Sequence, residues 1–230
     1  MNIQHLAIVP DGNRRWARQH KLEAMLGHKT GMNTLKYALA ICLKNKIKFL
    51  SFYAFSLENF KRDETEKTYF FSLAADGLAE QLPSLVDQGI KVQFIGDKNF
   101  FPEVLRGVIN DVEMATAQCA TLQLNLLFCY GGRSELVHAA RALARKVAQG
   151  TLKPEDIDEA MLGDALWTKG IPDPELVIRT GKASRLSNFL LYQAAYSELM
   201  FLDCFWPEVT EELLQQCIND FSGIKRNFGK

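Results

Sequence analysis

Short apolar runs alternate with longer amphipathic stretches from one end of the chain to the other, and that alternation restricts the fold more than any other feature. Residues 5–9, 48–55, 91–95, 122–128, 176–178 and 199–202 are dense in aliphatic and aromatic side chains over strand length. Residues 30–45, 64–88, 101–119, 134–149 and 208–221 repeat apolar positions at helical spacing and separate most of those runs. Strand and helix taken in turn predict an α/β fold, a parallel sheet with helices on both faces. No repeat, linker or low-complexity tract interrupts the pattern, so one domain over residues 1–230 is expected, with 150–174 a helical, turn-rich insertion.

Composition narrows the function classes. The 230 residues carry 27 Lys plus Arg against 27 Asp plus Glu, so no global basic field gathers nucleic acid or anionic lipid, and anion binding must be local. Five cysteines, Cys42, Cys119, Cys129, Cys204 and Cys217, are odd in number and form no Cys-x-x-Cys pair. They read as reduced core thiols of a cytoplasmic protein. Asp11 and the two arginines after it break any signal-like apolar start, and no segment approaches the roughly 18 apolar residues of a membrane span.

Polar clusters fall at the ends of the apolar runs. Asp11-Gly12-Asn13-Arg14-Arg15-Trp16 follows the first, Ser56 to Arg62 the second, Tyr130-Gly131-Gly132-Arg133 the fourth and Arg179-Thr180-Gly181 the fifth. An open parallel sheet binds ligands beyond the carboxyl ends of its strands, so four clusters should converge on one edge.

Each cluster has a plain reading and a chemical one. Asp11-Gly12 is either a turn or a hard oxygen ligand for Mg²⁺, with a glycine that lets the backbone approach a phosphate. Gly27-His28-Lys29-Thr30-Gly31 is either a capped helix start or a phosphate donor in His28. Ser56 and Asn59 cap a helix or bond to substrate; Arg62 and Glu66 form an (i, i+4) pair or order a loop over a ligand. An arginine such as Arg179 ending a buried strand needs an anion, either a carboxylate or, with Arg185 and Ser187, a diphosphate. Glu198 before an apolar run needs a cation or a donor. The helix at 64–88 presents Tyr69, Phe70, Leu73, Ala74, Leu78, Leu82 and Leu85, either as core or as the wall of an apolar slot for a lipid tail.

In this order the motifs resemble those of the cis-prenyltransferases, the undecaprenyl diphosphate synthase family. The matching stretches run from His5 to Ala17, Gly27 to Gly31, Tyr53 to Phe60, Tyr130 to Arg133, Leu176 to Gly181, Arg185 to Leu191 and Tyr196 to Leu199. The resemblance implies a homodimer, a six-stranded parallel sheet with an apolar tunnel, and Mg²⁺-dependent condensation of isopentenyl diphosphate with an allylic diphosphate to form cis double bonds. It implies Asp11 and Asn59 as catalytic residues, Asp11 holding Mg²⁺ with Glu198 and Asn59 handling the proton lost. The allylic diphosphate would lie on Gly12, Asn13, Arg14, Arg15 and Trp16, with His28 beside it. Ser56, Phe60 and Arg62 would complete the substrate contacts, and Arg179, Arg185 and Ser187 would grip isopentenyl diphosphate.

Three positions depart from the family pattern. Ala24 replaces an arginine, Lys182 a glycine after Gly181, and Asn227 the arginine of a C-terminal Arg-x-Gly, with Arg226 adjacent. A polyprenyl product such as undecaprenyl diphosphate made from farnesyl diphosphate is expected, since Ala54 is small, although Phe70 and Phe71 add bulk. The alternatives are a short-chain synthase and an accessory subunit of a related enzyme. A magnesium phosphatase with Asp11 as nucleophile fits less well, because that class carries a second aspartate near the first. Contact with a membrane is expected only through the lipid product.

Overall fold

The structure, a computed structural model, describes residues 3–224. Six parallel strands form one sheet: β1 (His5–Val9), β2 (Phe49–Ser56), β3 (Ile90–Ile95), β4 (Leu122–Tyr130), β5 (Leu176–Arg179) and β6 (Glu198–Phe201). Their spatial order is β3-β4-β2-β1-β5-β6, with every neighbouring pair parallel. All six expected runs become strands, and the sheet is the one the alternation implies.

Both faces of the sheet are covered, and β1 shows why its sequence is apolar throughout. Leu6 and Ile8 join the larger core with Leu50, Phe52, Leu124 and Trp206, whereas Ala7 and Val9 join a second core with Tyr53, Leu127, Val177 and Phe189. Period-two side chains thus serve two layers. Each large aliphatic side chain so buried contributes about 1.5–3 kcal/mol. The exception on β1 is His5, whose imidazole lies between the Pro172 carbonyl at 2.6 Å and Ser51 Oγ at 2.8 Å. Burial lowers its pKa to about 4. The neutral ring therefore donates from Nδ1 to the carbonyl and accepts the Ser51 hydroxyl at Nε2.

Among the described residues six α-helices lie between the strands and a seventh follows β6: α1 (Asn13–Gln19), α2 (Ala24–Lys44), α3 (Glu64–Asp87), α4 (Glu103–Ala115), α5 (Gly132–Ala148), α6 (Glu159–Ala165) and α7 (Glu211–Ser222). Two boundaries correct the sequence reading. Helix α1 lies outside the helical stretches expected from the sequence, and α2 starts at Ala24, so Gly27 to Gly31 lies inside it instead of preceding it. Both glycines are needed for contact rather than for a turn. A Cβ at Gly27 would come 2.2 Å from the Asn13 carbonyl oxygen, and one at Gly31 would come 2.3 Å from Asn13 Oδ1. Two helices cross there at backbone distance, which glycine alone permits. The insertion at 150–174 contributes α6.

Candidate functional site

The carboxyl ends of β1, β2, β4 and β5 carry the polar clusters, as expected. After Val9 the chain reaches Asp11, whose N–H donates to Thr180 Oγ1 at 2.9 Å while the Thr180 hydroxyl donates to the Asp11 carbonyl at 2.8 Å. Trp206 N–H adds a bond to the same carbonyl at 3.0 Å. Two positive-φ glycines flank this residue. Gly12 has φ 109° with a would-be Cβ 2.6 Å from the Phe205 ring, and Gly181 has φ 88° with one 2.8 Å from Asp11 Cβ. Any side chain at either position would displace the carboxylate's support.

Arg179 finds its anion in Asp11. Its Nη2 donates to Asp11 Oδ2 at 2.8 Å, and Nη1 donates to Ser187 Oγ at 2.8 Å and to the Arg185 carbonyl. The residue is 4% exposed, yet its Nε is buried with no hydrogen-bond partner among the described residues. A buried, unsatisfied guanidinium N–H is costly, and Arg179 lines the cavity described below. Arg15 Nη2 lies 3.1 Å from Asp11 Oδ1, so one carboxylate faces two guanidinium groups.

A second charge cluster adjoins it. Glu66, in the first turn of α3, meets His28 Nε2 at 3.2 Å, Arg62 at 3.5 Å and Arg14 at 3.7 Å. The (i, i+4) pair with Arg62 is present, and Glu66 also joins α1 and α2. Burial lowers the His28 pKa from its ordinary value, the Glu66 hydrogen bond opposing that shift in part. Four guanidinium groups therefore face two carboxylates, an excess of positive charge that suits a polyanion.

These groups border a cavity of about 1300 Å³. Its polar end includes Asp11, Asn13, His28, Ser56, Asn59, Arg62, Arg179 and Ser187. Asn59 Oδ1 accepts the Ser56 N–H at 3.2 Å, closing the turn that follows β2. The remainder is mostly apolar, lined by Leu35 and Leu39 of α2, Ala54 of β2, Leu73, Leu78 and Leu85 of α3, and Leu124, Leu126 and Phe128 of β4, together with the polar Lys36, Asp76, Glu80, Gln81 and Ser84. Phe70 stands between the two parts, edge-on to His28 at 5.6 Å.

Other expected residues take different places. Gly12, Arg14, Arg15 and Trp16 are not among the residues that line the cavity, and Trp16 packs on His20 at 4.5 Å. Phe60 packs among Phe55, Phe71 and Phe100. The exposed Arg185 supplies its carbonyl to Arg179 and its Nε to Ser187 Oγ. Glu198 is not brought to Asp11 within one chain. It opens β6 level with Leu176, whereas Asp11 follows the Val9–Arg179 level at the opposite edge. Lys182 Nζ lies 3.8 Å from Asp203 and 5.5 Å from the centre of the Phe205 ring, which Arg15 also approaches at 5.4 Å. Ala24 opens α2; Arg226, Asn227, Phe228 and Gly229 lie outside the described residues. Sequence reasoning gave no role to two lining residues, Glu58 and Asn188, which bond to each other at 2.7 Å.

Known proteins share this arrangement along most of the chain. Residues 9–229 match the prenyltransferase family model for undecaprenyl diphosphate synthases. The chain is 40% identical over 226 residues to the farnesyl-diphosphate-specific ditrans,polycis-undecaprenyl-diphosphate synthase of Xanthomonas axonopodis pv. citri, covering 98% of this chain and 88% of that one. It is 41% identical over 229 residues to the geranylgeranyl-diphosphate-specific tritrans,polycis-undecaprenyl-diphosphate synthase of Pyrococcus horikoshii, covering 99% and 87%. The crystal structure of lavandulyl diphosphate synthase from Lavandula x intermedia in complex with dimethylallyl diphosphate superposes with a TM-score of 0.96 at 34% identity, covering 100% of this chain and 99% of that one. With its sheet, its cation-rich strand ends and its sequence all in agreement, the chain belongs to the undecaprenyl diphosphate synthase family of prenyl transferases.

Proposed function

We propose that the protein condenses isopentenyl diphosphate with an allylic prenyl diphosphate, farnesyl diphosphate in the leading case, to give a cis-polyprenyl diphosphate such as undecaprenyl diphosphate. One observation carries this reading: a single cavity joins a cation-rich head to an apolar body, the shape of a lipid diphosphate. Its lining follows α3 from Phe70 to Gln88, about 27 Å at the usual helical rise. That length favours a polyprenyl tail over a product of two or three units.

The reaction breaks the C1–O bond of the allylic diphosphate and forms a carbon–carbon bond from the isopentenyl double bond to that carbon. A proton leaves the isopentenyl C2, and diphosphate departs. Charge develops on the departing oxygens, so the largest contribution comes from Arg62 and His28 at the cavity wall, with Arg14 and Arg15 held beside them by Glu66 and Asp11, all fixed before reaction. Arg179, with its unsatisfied Nε, and Ser187 receive the second diphosphate and orient the attacking double bond. Asn59 is too weak a base to keep the proton. It passes the proton by hydrogen bonding toward a diphosphate oxygen.

Asp11 is the residue to hold Mg²⁺. Among the described residues no group of three or more His, Cys, Asp or Glu gathers, so no dedicated metal cage is built. A lone carboxylate beside a phosphate site fits a hard cation that keeps water and takes most of its oxygens from the substrate. When bound, Mg²⁺ neutralises the departing diphosphate. For Glu198 to serve the same metal, a second copy must bring it. We propose a homodimer as the source of that copy; in support, β6 is an edge strand, and Tyr196, Leu199 and Phe201 beside Glu198 are 77%, 41% and 39% exposed. No helix among the described residues is long and apolar enough to cross a membrane. Bilayer contact is proposed through the product alone, and a cytoplasmic location through the five free cysteines.

Replacing Asp11 with Ala tests the assignment. Incorporation of isopentenyl diphosphate into extractable product with Mg²⁺ present should fall by at least about a hundredfold; unchanged turnover refutes the metal role.

A further inference from the structure

Ser187 and Asn188 hold successive positive φ angles of 52° and 68°. Two such non-glycine residues in a row persist only where surrounding contacts fix them. Asn188 is fixed at three points. Its carbonyl accepts the Gly132 N–H at 2.7 Å, its Oδ1 accepts the Arg133 N–H at 2.8 Å, and its Nδ2 donates to Glu58 Oε1 at 2.7 Å. The first two partners open α5. There a Cβ at Gly131 would come 2.8 Å from Asn188 Nδ2, and one at Gly132 would come 3.1 Å from the Asn188 carbonyl oxygen. Prenyl transfer leaves the Gly131-Gly132 pair without a task, and the geometry supplies one: it clears the seat on which Asn188 docks.

The two ends of this seat belong to different chain segments that meet at the polar end of the cavity. Glu58 directly precedes Asn59, in the turn after β2, whereas Asn188 directly follows Ser187, whose Oγ receives Nη1 of Arg179. All four residues line the cavity. The geometry points to Asn188 as a positioning residue that holds Ser187 and Arg179 in register for the second diphosphate by clamping their turn to Glu58 and to the start of α5. This rests on the reading that Arg179 and Ser187 receive isopentenyl diphosphate.

Steady-state kinetics with isopentenyl and farnesyl diphosphates in Mg²⁺ test it on Asn188→Gly, Asn188→Asp, Glu58→Gln and the double variant N188D/E58Q. Glycine accepts positive φ freely and deletes only the side-chain bonds. Asn188→Gly should raise KM for isopentenyl diphosphate roughly tenfold, the size of one charge-assisted hydrogen bond. KM for farnesyl diphosphate should stay within about threefold of wild type, because Arg14, Arg62 and His28, three of its four cationic partners, belong to the Glu66 cluster. Asn188→Asp keeps the acceptor for Arg133 but sets a carboxylate against Glu58, and should lose at least as much. Adding Glu58→Gln restores a donor facing an acceptor and should recover most of that loss. Equal changes in both KM values, no change in either, or a double variant no better than N188D would overturn the proposal. A melting temperature lowered without the KM split counts against it too, as that is what mere destabilisation gives. A wild type inert with every allylic diphosphate would instead overturn the prenyl-transfer reading itself.

Discussion

Gly181→Ala separates the site's geometry from the stability of the fold. Gly181 sits at φ 88°, where a Cβ would lie 2.7 Å from Arg15 Nη2 and 2.8 and 2.9 Å from Asp11 Cβ and Cγ. The backbone conformation costs an alanine about 1–2 kcal/mol. Approaches this close force something to move, and the Asp11 backbone is held by Thr180 and Trp206. The carboxylate must therefore turn away from Arg15 and Arg179. For a chain of this size a loss of about 2 kcal/mol lowers the melting temperature by about 4–8 °C. Misplacing a catalytic group by about an ångström costs on the order of a hundredfold in rate. Calorimetry and kcat/KM for isopentenyl diphosphate at 25 °C read the two effects separately. Gly150→Ala is the control: Gly150 has φ 69° with nothing among the described residues within 4 Å of a would-be Cβ, so the backbone cost remains and activity should not fall. A Gly181→Ala protein that keeps kcat/KM within about threefold of wild type would refute the reasoning.

Further outcomes follow from other parts of the molecule. Gly77→Leu places a side chain where a Cβ would meet only Met32 Cε, at 2.6 Å, inside the apolar cavity; chromatography of the products should show shorter chains. Folding stability should fall as pH drops below about 6.5, because the His5 pKa is about 4 when folded and 6.5 when unfolded, so the unfolded chain binds the extra proton. The decline is about 1.4 kcal/mol per pH unit and levels off below about pH 4. Denaturant titrations between pH 7 and 4 should show this slope reduced in His5→Gln. Chelating Mg²⁺ should stop turnover while leaving the melting temperature of the ligand-free protein unchanged, since among the described residues no group of three or more His, Cys, Asp or Glu gathers around a metal.

Strands were the most legible part of the sequence because all six are apolar runs between polar strand ends. Boundaries were harder where one residue served two purposes. Gly27 and Gly31 look like helix breakers, yet they are what lets α2 cross Asn13 at backbone distance. The charged head was legible in outline: Arg179 had to find an anion, but only the topology, with β5 beside β1, shows that it is Asp11. Glu66 was readable as an (i, i+4) partner of Arg62, while its contacts with His28 and Arg14 join elements far apart in the chain. Glu58 and Asn188 are separated by 130 residues and follow no periodicity, so nothing local marks their bond. Glu198 was legible as a carboxylate needing a partner, but not the edge of the sheet on which it lies.

The most direct test offers the wild type isopentenyl diphosphate with dimethylallyl, geranyl, farnesyl or geranylgeranyl diphosphate in Mg²⁺, and reads product mass and double-bond geometry. The expected result is growth of at least one primer by successive five-carbon units with new cis double bonds and release of diphosphate, lost in Asp11→Ala. Absence of any elongated product from all four primers, with the protein folded, would contradict the assignment.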